Sequence, residues 1–200
     1  MPYYVKRIAG VEQIDQCDVF QIDHYQWLGS YRPKAYGSMG YREGYGLIVS
    51  ITVEEKNPLR HYQHRDDPVY KDSAVEAFFD FSPKSGKQKY FNFEMNGNGA
   101  MLSQFGNRGN RQFLKHLTNQ SARCDVAIKE RSWSAILQIP MELITELYQM
   151  KPLEKEDRFT CNFYKICEDP GLEHYASYAP IDSPSPDFHL PEYFTEAVIC

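Results

Sequence analysis

Residues 69–99 constrain the fold of this chain more than any other stretch. They hold two runs rich in aromatic and β-branched residues, 69–81 and 90–99, on either side of a turn-forming cluster that includes Pro83 and Gly86. This pattern predicts two strands joined by a loop. Side chains alternate between the faces of a strand, so one set of side chains should face a common core. That set is Val75, Ala77, Phe79, Phe81, Phe91, Phe93 and Met95.

The opposite faces of these two predicted strands are polar. Glu76 lies on the first strand, and Tyr90, Asn92 and Glu94 lie on the second. Even spacing within each strand predicts that these side chains point to the same side of one sheet. A polar outer face is either plain solvent exposure or a platform for a ligand, and the spacing alone leaves both readings open.

The remaining sequence predicts many short strands and little helix. Strands are expected at 3–8, 34–41, 47–53, 124–129, 133–140, 158–166 and 195–199, and short helices at 141–150 and 112–117. Residues 54–68 are interpreted as a charged loop, and residues 100–123 as a long polar connection. Short strands at regular spacing predict an all-β fold, namely a two-sheet antiparallel β-sandwich of the jelly-roll kind, formed by a single domain over residues 1–200.

Charge and hydropathy exclude several classes of partner. The chain of 200 residues has a formal net charge of -5 and contains no basic run, which argues against nucleic acid and anionic membranes. No apolar run approaches the roughly 20 residues of a membrane span. The first residues lack the apolar core of a signal peptide, so we expect a cytoplasmic protein, or an extracellular one if a leader has been removed. Five cysteines without a Cys-x-x-Cys pair suit reduced thiols.

Six segments, taken in order, resemble the family 9 carbohydrate-binding modules and the stand-alone bacterial proteins related to them. They include VYKDSAVEAFF (69–79), YFNFEMNGNG (90–99) and NFYK (162–165), together with residues 133–140, 174–178 and 188–194. The resemblance runs from about Trp27 to Val198. It implies a β-sandwich that binds a mono- or oligosaccharide without modifying it and needs no cofactor.

The resemblance also implies a set of binding residues. Tyr70 and Tyr178 match two aromatic side chains that clamp a sugar ring, although the sugar-binding members use Trp at both positions. Hydrogen-bonding side chains complete the implied site, and they are Glu76, Asn92, Glu94, Asn96, Lys165 and His174. A carboxylate accepts hydrogen bonds from hydroxyl groups, and charge-assisted bonds are the stronger kind.

Other readings of the same residues remain open at this point. Glu76 and Glu94 could form the carboxylate pair of a glycan hydrolase, or the fold could serve as a protein–protein module. Tyr70 could simply pack on the neighbouring loop, and Glu76 could pair with Lys165 or Arg60.

Two groups of residues could suggest a metal site. Family members bind structural calcium, for which Asp66, Asp67 and Asp72 could supply oxygen ligands. His61 and His64, beside the first two of these acids, superficially resemble metal ligands but are interpreted as part of a solvated loop.

Overall fold

The computed structural model describes residues 1–27 and 29–200, and these residues form fourteen strands and one α-helix. The strands are β1 (Tyr3–Ile8), β2 (Val19–Ile22), β3 (His24–Gln26), β4 (Lys34–Arg42), β5 (Gly46–Glu54), β6 (Ala74–Asp80), β7 (Tyr90–Asn96), β8 (Met101–Asn107), β9 (Asn110–Phe113), β10 (Arg123–Ile128), β11 (Trp133–Pro140), β12 (Arg158–Cys167), β13 (His174–Ser177) and β14 (Thr195–Ile199). The α-helix α1 is Met141–Tyr148. Short 3-10 helices occur at Val11–Gln16, Val69–Lys71, Pro83–Ser85, Leu114–His116 and Pro191–Tyr193. None of the described helices is long and apolar enough to cross a membrane.

The strands form one continuous, curled sheet whose two halves cover a common core. Its order is β10-β11-β5-β4-β1-β14-β12-β6-β7-β8-β9, with β2 paired to β4, β13 to β12 and β3 to β13. Val49 and Leu137 from one half share a buried apolar cluster with Phe79 and Phe163 from the other. Phe20 of β2 stacks on Phe163 of β12 with ring centroids 4.0 Å apart. Burial of these rings between the halves is the main apolar contribution to folding.

The prediction of a mostly β fold is confirmed, but two separate antiparallel sheets are not found. β1 lies between the halves and runs parallel to both of its neighbours, with Tyr3 aligned with Ala197 of β14 and Lys6 aligned with Gly40 of β4. The sheet is therefore mixed. Alternation in a sequence reports which face a residue occupies and says nothing about strand direction, so the parallel pairs could not be predicted in this way.

Local structure departs from the predictions in two places that matter for the site. Residues 69–71 form a 3-10 helix rather than the start of a strand, because the Pro68 carbonyl accepts a hydrogen bond from the Lys71 amide at 3.1 Å. Residues 101–113 form the hairpin β8–β9 rather than a polar connection. The predicted register of β6 and β7 is confirmed, since the seven predicted core residues all lie in the core cluster.

Gly106 lets the β8–β9 hairpin close tightly. Its φ is +149°, and a Cβ at this residue would lie 2.3 Å from the carbonyl oxygen of Asn110. Gly109, in the turn of the same hairpin, has a φ of +77° and has no described atom within 4 Å of the position of a Cβ. Both positions disfavour L side chains, but a clash arises at Gly106 alone.

We therefore expect Gly106→Ala to lower the free energy of unfolding by about 2 kcal/mol more than Gly109→Ala does. Urea denaturation of the two variants measures this difference, and Gly109→Ala serves as the matched control. Equal losses in the two variants would contradict the close backbone approach.

Candidate functional site

An open pocket of about 430 Å³ lies on the outer face of the sheet, above β12, β6, β7 and β8. This volume is within the range of roughly 300–1,000 Å³ that is usual for ligand pockets. The side chains that line it are Asp66, Pro68, Tyr70, Glu76, Glu94, Leu102, Gln104, Arg111, Phe113, Ile166, Glu168, Tyr175, Pro186, Asp187, Phe188 and His189. The pocket therefore combines aromatic rings with several carboxyl groups.

Two carboxyl groups form the floor of the pocket. Glu76 of β6 and Glu94 of β7 are directly opposite each other in the antiparallel pair, so their side chains stand next to each other on one face. Both residues are buried, with relative exposures of 2% and 3%. The Asn92 amide, two residues before Glu94 on the same face, donates a hydrogen bond of 3.0 Å to Oε1 of Glu94. The predicted common face of Glu76, Asn92 and Glu94 is confirmed.

Burial shifts the pKa of both acids upward. Desolvation raises the pKa of Glu94 to about 7, although the Asn92 amide and the Arg111 charge act in the opposite direction. The pKa of Glu76 rises well above its usual value, first because of desolvation and then because of the neighbouring Glu94 charge. At neutral pH the pair therefore shares protons, as expected of two acids that cannot both ionise freely in an apolar setting.

Hydrogen bonds hold one wall of the pocket in place. The Arg111 guanidinium donates to the Tyr90 hydroxyl at 2.9 Å and to the Gln104 side-chain oxygen at 3.3 Å. The Tyr90 hydroxyl also contacts Nδ1 of His189 at 3.2 Å, which joins β7 to the loop after β13. Desolvation, with a further contribution from Arg111, lowers the pKa of His189 to about 3, so its imidazole is neutral at physiological pH.

Aromatic side chains form the rim. Tyr70 on the 3-10 helix, Phe113 at the end of β9, Tyr175 on β13 and Phe188 in the following loop all line the pocket. Tyr175 and Phe188 belong to a second apolar cluster that anchors the loop on this face of the sheet. Because rings present flat apolar faces, this rim suits a ligand with a flat apolar side and a polar edge.

The predicted site residues separate into two groups in the structure. Tyr70, Glu76 and Glu94 line the pocket, and Asn92 supports the floor. Asn96 lies on the same face, but its side chain is used in the turn after β7. Its amide donates to Asp72 and to the Tyr62 carbonyl, both at 2.8 Å.

Lys165, His174 and Tyr178 lie on the other side of the sheet. Lys165 is aligned with Val75 and therefore shares the core-facing side, whereas Glu76 faces outward. His174 contacts the Lys165 ammonium at 2.8 Å inside the protein. The Tyr178 ring packs against Phe163 in the core with centroids 6.0 Å apart. The predicted clamp of Tyr70 with Tyr178 in one cleft is therefore wrong. The alternative in which Glu76 pairs with Lys165 is also excluded, because the two side chains point to opposite faces of the sheet.

Several pocket residues escaped the sequence interpretation. Gln104 and Arg111 lie within residues 100–123, for which the sequence predicts a polar connection. Their shared face of the sheet could therefore not be assigned. Phe188 and His189 reach the pocket through an irregular loop, which has no periodicity to interpret. The face of Tyr175 could have been predicted, because it is adjacent to His174 and must point to the opposite side of β13.

The acids considered for calcium do not converge on one point. Asp72 accepts backbone hydrogen bonds from His61 and Tyr62, Asp67 accepts the His64 amide, and Asp66 pairs with Lys115 at 2.9 Å. Within residues 1–27 and 29–200, no group of three or more His, Cys, Asp or Glu side chains has a geometry suited to a metal ion. These hydrogen bonds and this ion pair stabilise the loop.

A mostly β fold with an aromatic-rimmed polar pocket on its outer face defines a small-ligand-binding domain. Over residues 8–199 the chain matches the sequence model of carbohydrate-binding family 9, and it belongs to that family. This membership confirms the predictions of carbohydrate binding and of a non-catalytic domain. No curated protein matches the chain significantly.

Solved structures share the fold at low sequence identity. A protein of Bacteroides uniformis described as a candidate carbohydrate-binding protein superposes with a TM-score of 0.81 at 21% identity, covering 99% of this chain and 98% of that one. A family 9 module from Caldicellulosiruptor kristjanssonii in complex with glucose superposes with a TM-score of 0.73 at 12% identity, covering 100% and 96%. The same kind of module in complex with cellotriose gives 0.73 at 11% identity, covering 100% and 93%.

Proposed function

We propose that the pocket above Glu76 and Glu94 is the carbohydrate-binding site of this protein and that it takes a mono- or short oligosaccharide. One observation carries the proposal: two buried carboxyl groups stand at the base of an open, aromatic-rimmed pocket. Among the described residues, Oε2 of Glu94 is buried without a hydrogen-bond partner. A buried acceptor without a partner is costly, so a ligand that donates to it gains affinity.

The chemistry of a sugar fits both parts of the pocket. The hydroxyl groups of a sugar donate hydrogen bonds, which the floor carboxyls and the Gln104 side chain can accept. The C–H faces of a sugar ring pack on aromatic rings, and Tyr70, Tyr175 and Phe188 supply these at the rim. The relatives with solved structures that bind glucose and cellotriose support a glucose-type ligand for this chain as well.

The two tyrosines of the predicted clamp give a test with a built-in control. Tyr70→Ala should weaken glucose or cello-oligosaccharide binding about fivefold, because an aromatic contact contributes about 1 kcal/mol. Tyr178→Ala should lower the melting temperature by removing core contacts and leave the dissociation constant unchanged. Titration calorimetry and thermal unfolding measure these effects.

The proposal fails if wild type binds none of the mono- and oligosaccharides tested. The assignment of the pocket fails if Tyr178→Ala weakens binding as much as Tyr70→Ala does, since Tyr178 lies on the other side of the sheet. Release of shortened sugar during the titration would contradict a purely binding role.

A further inference from the structure

Among the described residues, the floor of the pocket holds buried acceptor atoms that have no hydrogen-bond partner. Within the described residues, Oε2 of Glu94 and Oδ1 of Asn92 are buried and accept no hydrogen bond. The donating side of Asn92 is already used, because its amide nitrogen donates to Glu94 at 3.0 Å and to Gln104 at 3.4 Å. A ligand group that donates several hydrogen bonds would therefore complement these acceptors.

The acidic side chains around the pocket also favour a ligand group that donates hydrogen bonds and carries positive charge. Asp66 is paired with Lys115 at 2.9 Å, and Asp187 is paired with Arg108 at 2.7 Å, so these two rim acids are compensated. In the described part of the chain, no ion pair involves Glu76, Glu94 or Glu168. Among the described residues that line the pocket, Arg111 is the only lysine or arginine, while Lys71 acts on Glu168 and Lys165 acts on Glu76 from outside the lining.

The hydrogen bonds of the Arg111 guanidinium do not go to these acids. It donates to Gln104 and to Tyr90 rather than to a carboxyl group. Each of these acids that ionises adds to an electrostatic potential that attracts positive charge into the pocket.

We propose, building on the sugar-binding function above, that this pocket selects a sugar that carries a protonated amine, an amino sugar, over its neutral counterpart. An ammonium group has three donors and no acceptor, which complements a floor of acceptors. A hydroxyl group brings one donor and no charge. The ammonium also forms charge-assisted bonds, which are roughly twice as strong as neutral ones.

Binding of an ammonium has a second consequence that a neutral sugar does not share. The floor acids hold protons near neutral pH, because the pKa of Glu94 is raised to about 7 and that of Glu76 is raised further above its ordinary range by burial. A positive group placed beside them favours their ionised forms. The charged and titratable groups around this pair are Arg111, Glu168, Tyr90, Tyr164 and His189, and the Lys165 charge acts on Glu76 from the other side of the sheet. Since His189 is neutral in this range, the proton released on binding comes from the glutamate pair.

The test is a titration of the whole protein with three sugars: glucose, glucosamine and N-acetylglucosamine. At pH 6.5 the free amine is mostly protonated, because amines beside polar groups have a pKa of about 8. N-Acetylglucosamine is the matched control, since it keeps the nitrogen and removes its charge. We expect glucosamine to bind about tenfold more tightly than either neutral sugar, because its bonds to the floor are charge-assisted. Repeating the titration in buffers of different ionisation enthalpy should show proton release for glucosamine alone.

Two variants test whether the floor acids produce the preference for glucosamine. Glu94→Gln keeps the shape of the floor and removes the carboxyl that ionises when an ammonium binds, so the preference for glucosamine should fall to within about twofold of glucose. Glu54→Gln, at an exposed site that pairs with Lys34, is the control and should keep the full preference.

The outcomes separate this proposal from the proposed function. If glucose binds as tightly as glucosamine and no proton is released, the amine preference is overturned and carbohydrate binding stands. If the preference persists in Glu94→Gln, the assignment to the floor acids is overturned. If none of the three sugars binds, the proposed function fails together with this inference.

Discussion

Replacement of Lys165 by methionine is expected to lower the free energy of unfolding by about 3–5 kcal/mol, because it leaves a buried carboxylate without its cation. Lys165 is completely buried, and Glu55 is 4% exposed. The hydroxyl of Ser73 lies between them. It accepts from the Lys165 ammonium at 2.8 Å and donates to Glu55 at 2.5 Å.

The surrounding hydrogen bonds explain why this buried charge is tolerated. The ammonium makes two further bonds, to the Ile166 carbonyl at 3.1 Å and to Nε2 of His174 at 2.8 Å, so all three of its donors are used. His174 is held as an acceptor because its Nδ1 faces the Leu172 carbonyl at 2.6 Å, and desolvation lowers its pKa to about 3. Burial lowers the pKa of Lys165 to about 8, and the side chain stays mostly charged at neutral pH.

The network also connects the two halves of the sheet. Lys165 belongs to β12, whereas Glu55 follows β5 and accepts a hydrogen bond of 3.1 Å from the Trp133 indole of β11. Removal of the lysine thus weakens both the charge balance and the contact between the halves.

Urea denaturation of Lys165→Met against Lys34→Met tests this expectation. Lys34 pairs with Glu54 at the surface, and such pairs contribute about 0–1 kcal/mol. The double variant Lys165→Met/Glu55→Gln removes both charges and should recover about 2 kcal/mol of the loss. Similar stabilities for the two single variants would show that the buried pair is not a major source of stability.

Glu94→Gln should change the pH dependence of stability by an amount on the order of 3 kcal/mol between pH 4.5 and about 7. The pKa of Glu94 is 4.5 in an unperturbed chain and about 7 in the folded protein. Between these values the folded state binds more protons than the unfolded state. The contribution of Glu94 is therefore full below pH 4.5 and is lost as the pH rises through about 7. Glu76 acts in the same direction, because burial and the Glu94 charge raise its pKa too.

Two histidines oppose this trend, so the comparison must be between variants. The pKa values of His174 and His189 are both lowered to about 3, and such groups make the folded state more stable as the pH rises from about 3 to 6.5. Both histidines are present in wild type and in Glu94→Gln, so their effects cancel when the free energies of unfolding of the two proteins are subtracted. Denaturation curves at half-unit steps from pH 4.5 to 8 measure this difference in free energy, with Glu54→Gln as the exposed control. Parallel stability curves for wild type and Glu94→Gln would contradict the raised pKa of Glu94.

Much of the site floor could be predicted from the sequence because it lies on regular strands. The alternation in residues 75–95 placed Phe79 and Phe93 in the core and Glu76 and Glu94 opposite them, as the structure confirms. The same argument, applied to β12, would have placed Lys165 on the core side, because it is two residues from Phe163. The family resemblance implied instead that Lys165 is a binding residue, whereas the structure buries it completely, which is rare for a lysine.

Other positions could not be predicted in the same way. Tyr178 follows β13, which ends at Ser177, so alternation no longer applies to it. Phe188 and His189 come from an irregular loop, and Arg111 reaches the pocket through a hairpin turn at 107–110 whose two strands have few β-branched residues. These positions depend on tertiary packing, which a local sequence pattern does not encode.

The parallel alignment of β1 with β14 has a mechanical consequence. The chain enters the sheet at the start of β1 and leaves it at the end of β14, and the two strands run side by side in the same direction. A force that pulls the two ends apart would therefore act along these strands and load their inter-strand hydrogen bonds together, rather than peel them open one after another. The Cys200 amide donates a hydrogen bond of 3.0 Å to the Val5 carbonyl and so adds to the bonds between these two ends of the chain. A sugar-binding domain held at one end of its chain and pulled at the other would thus resist force in shear, the direction in which a sheet is strongest.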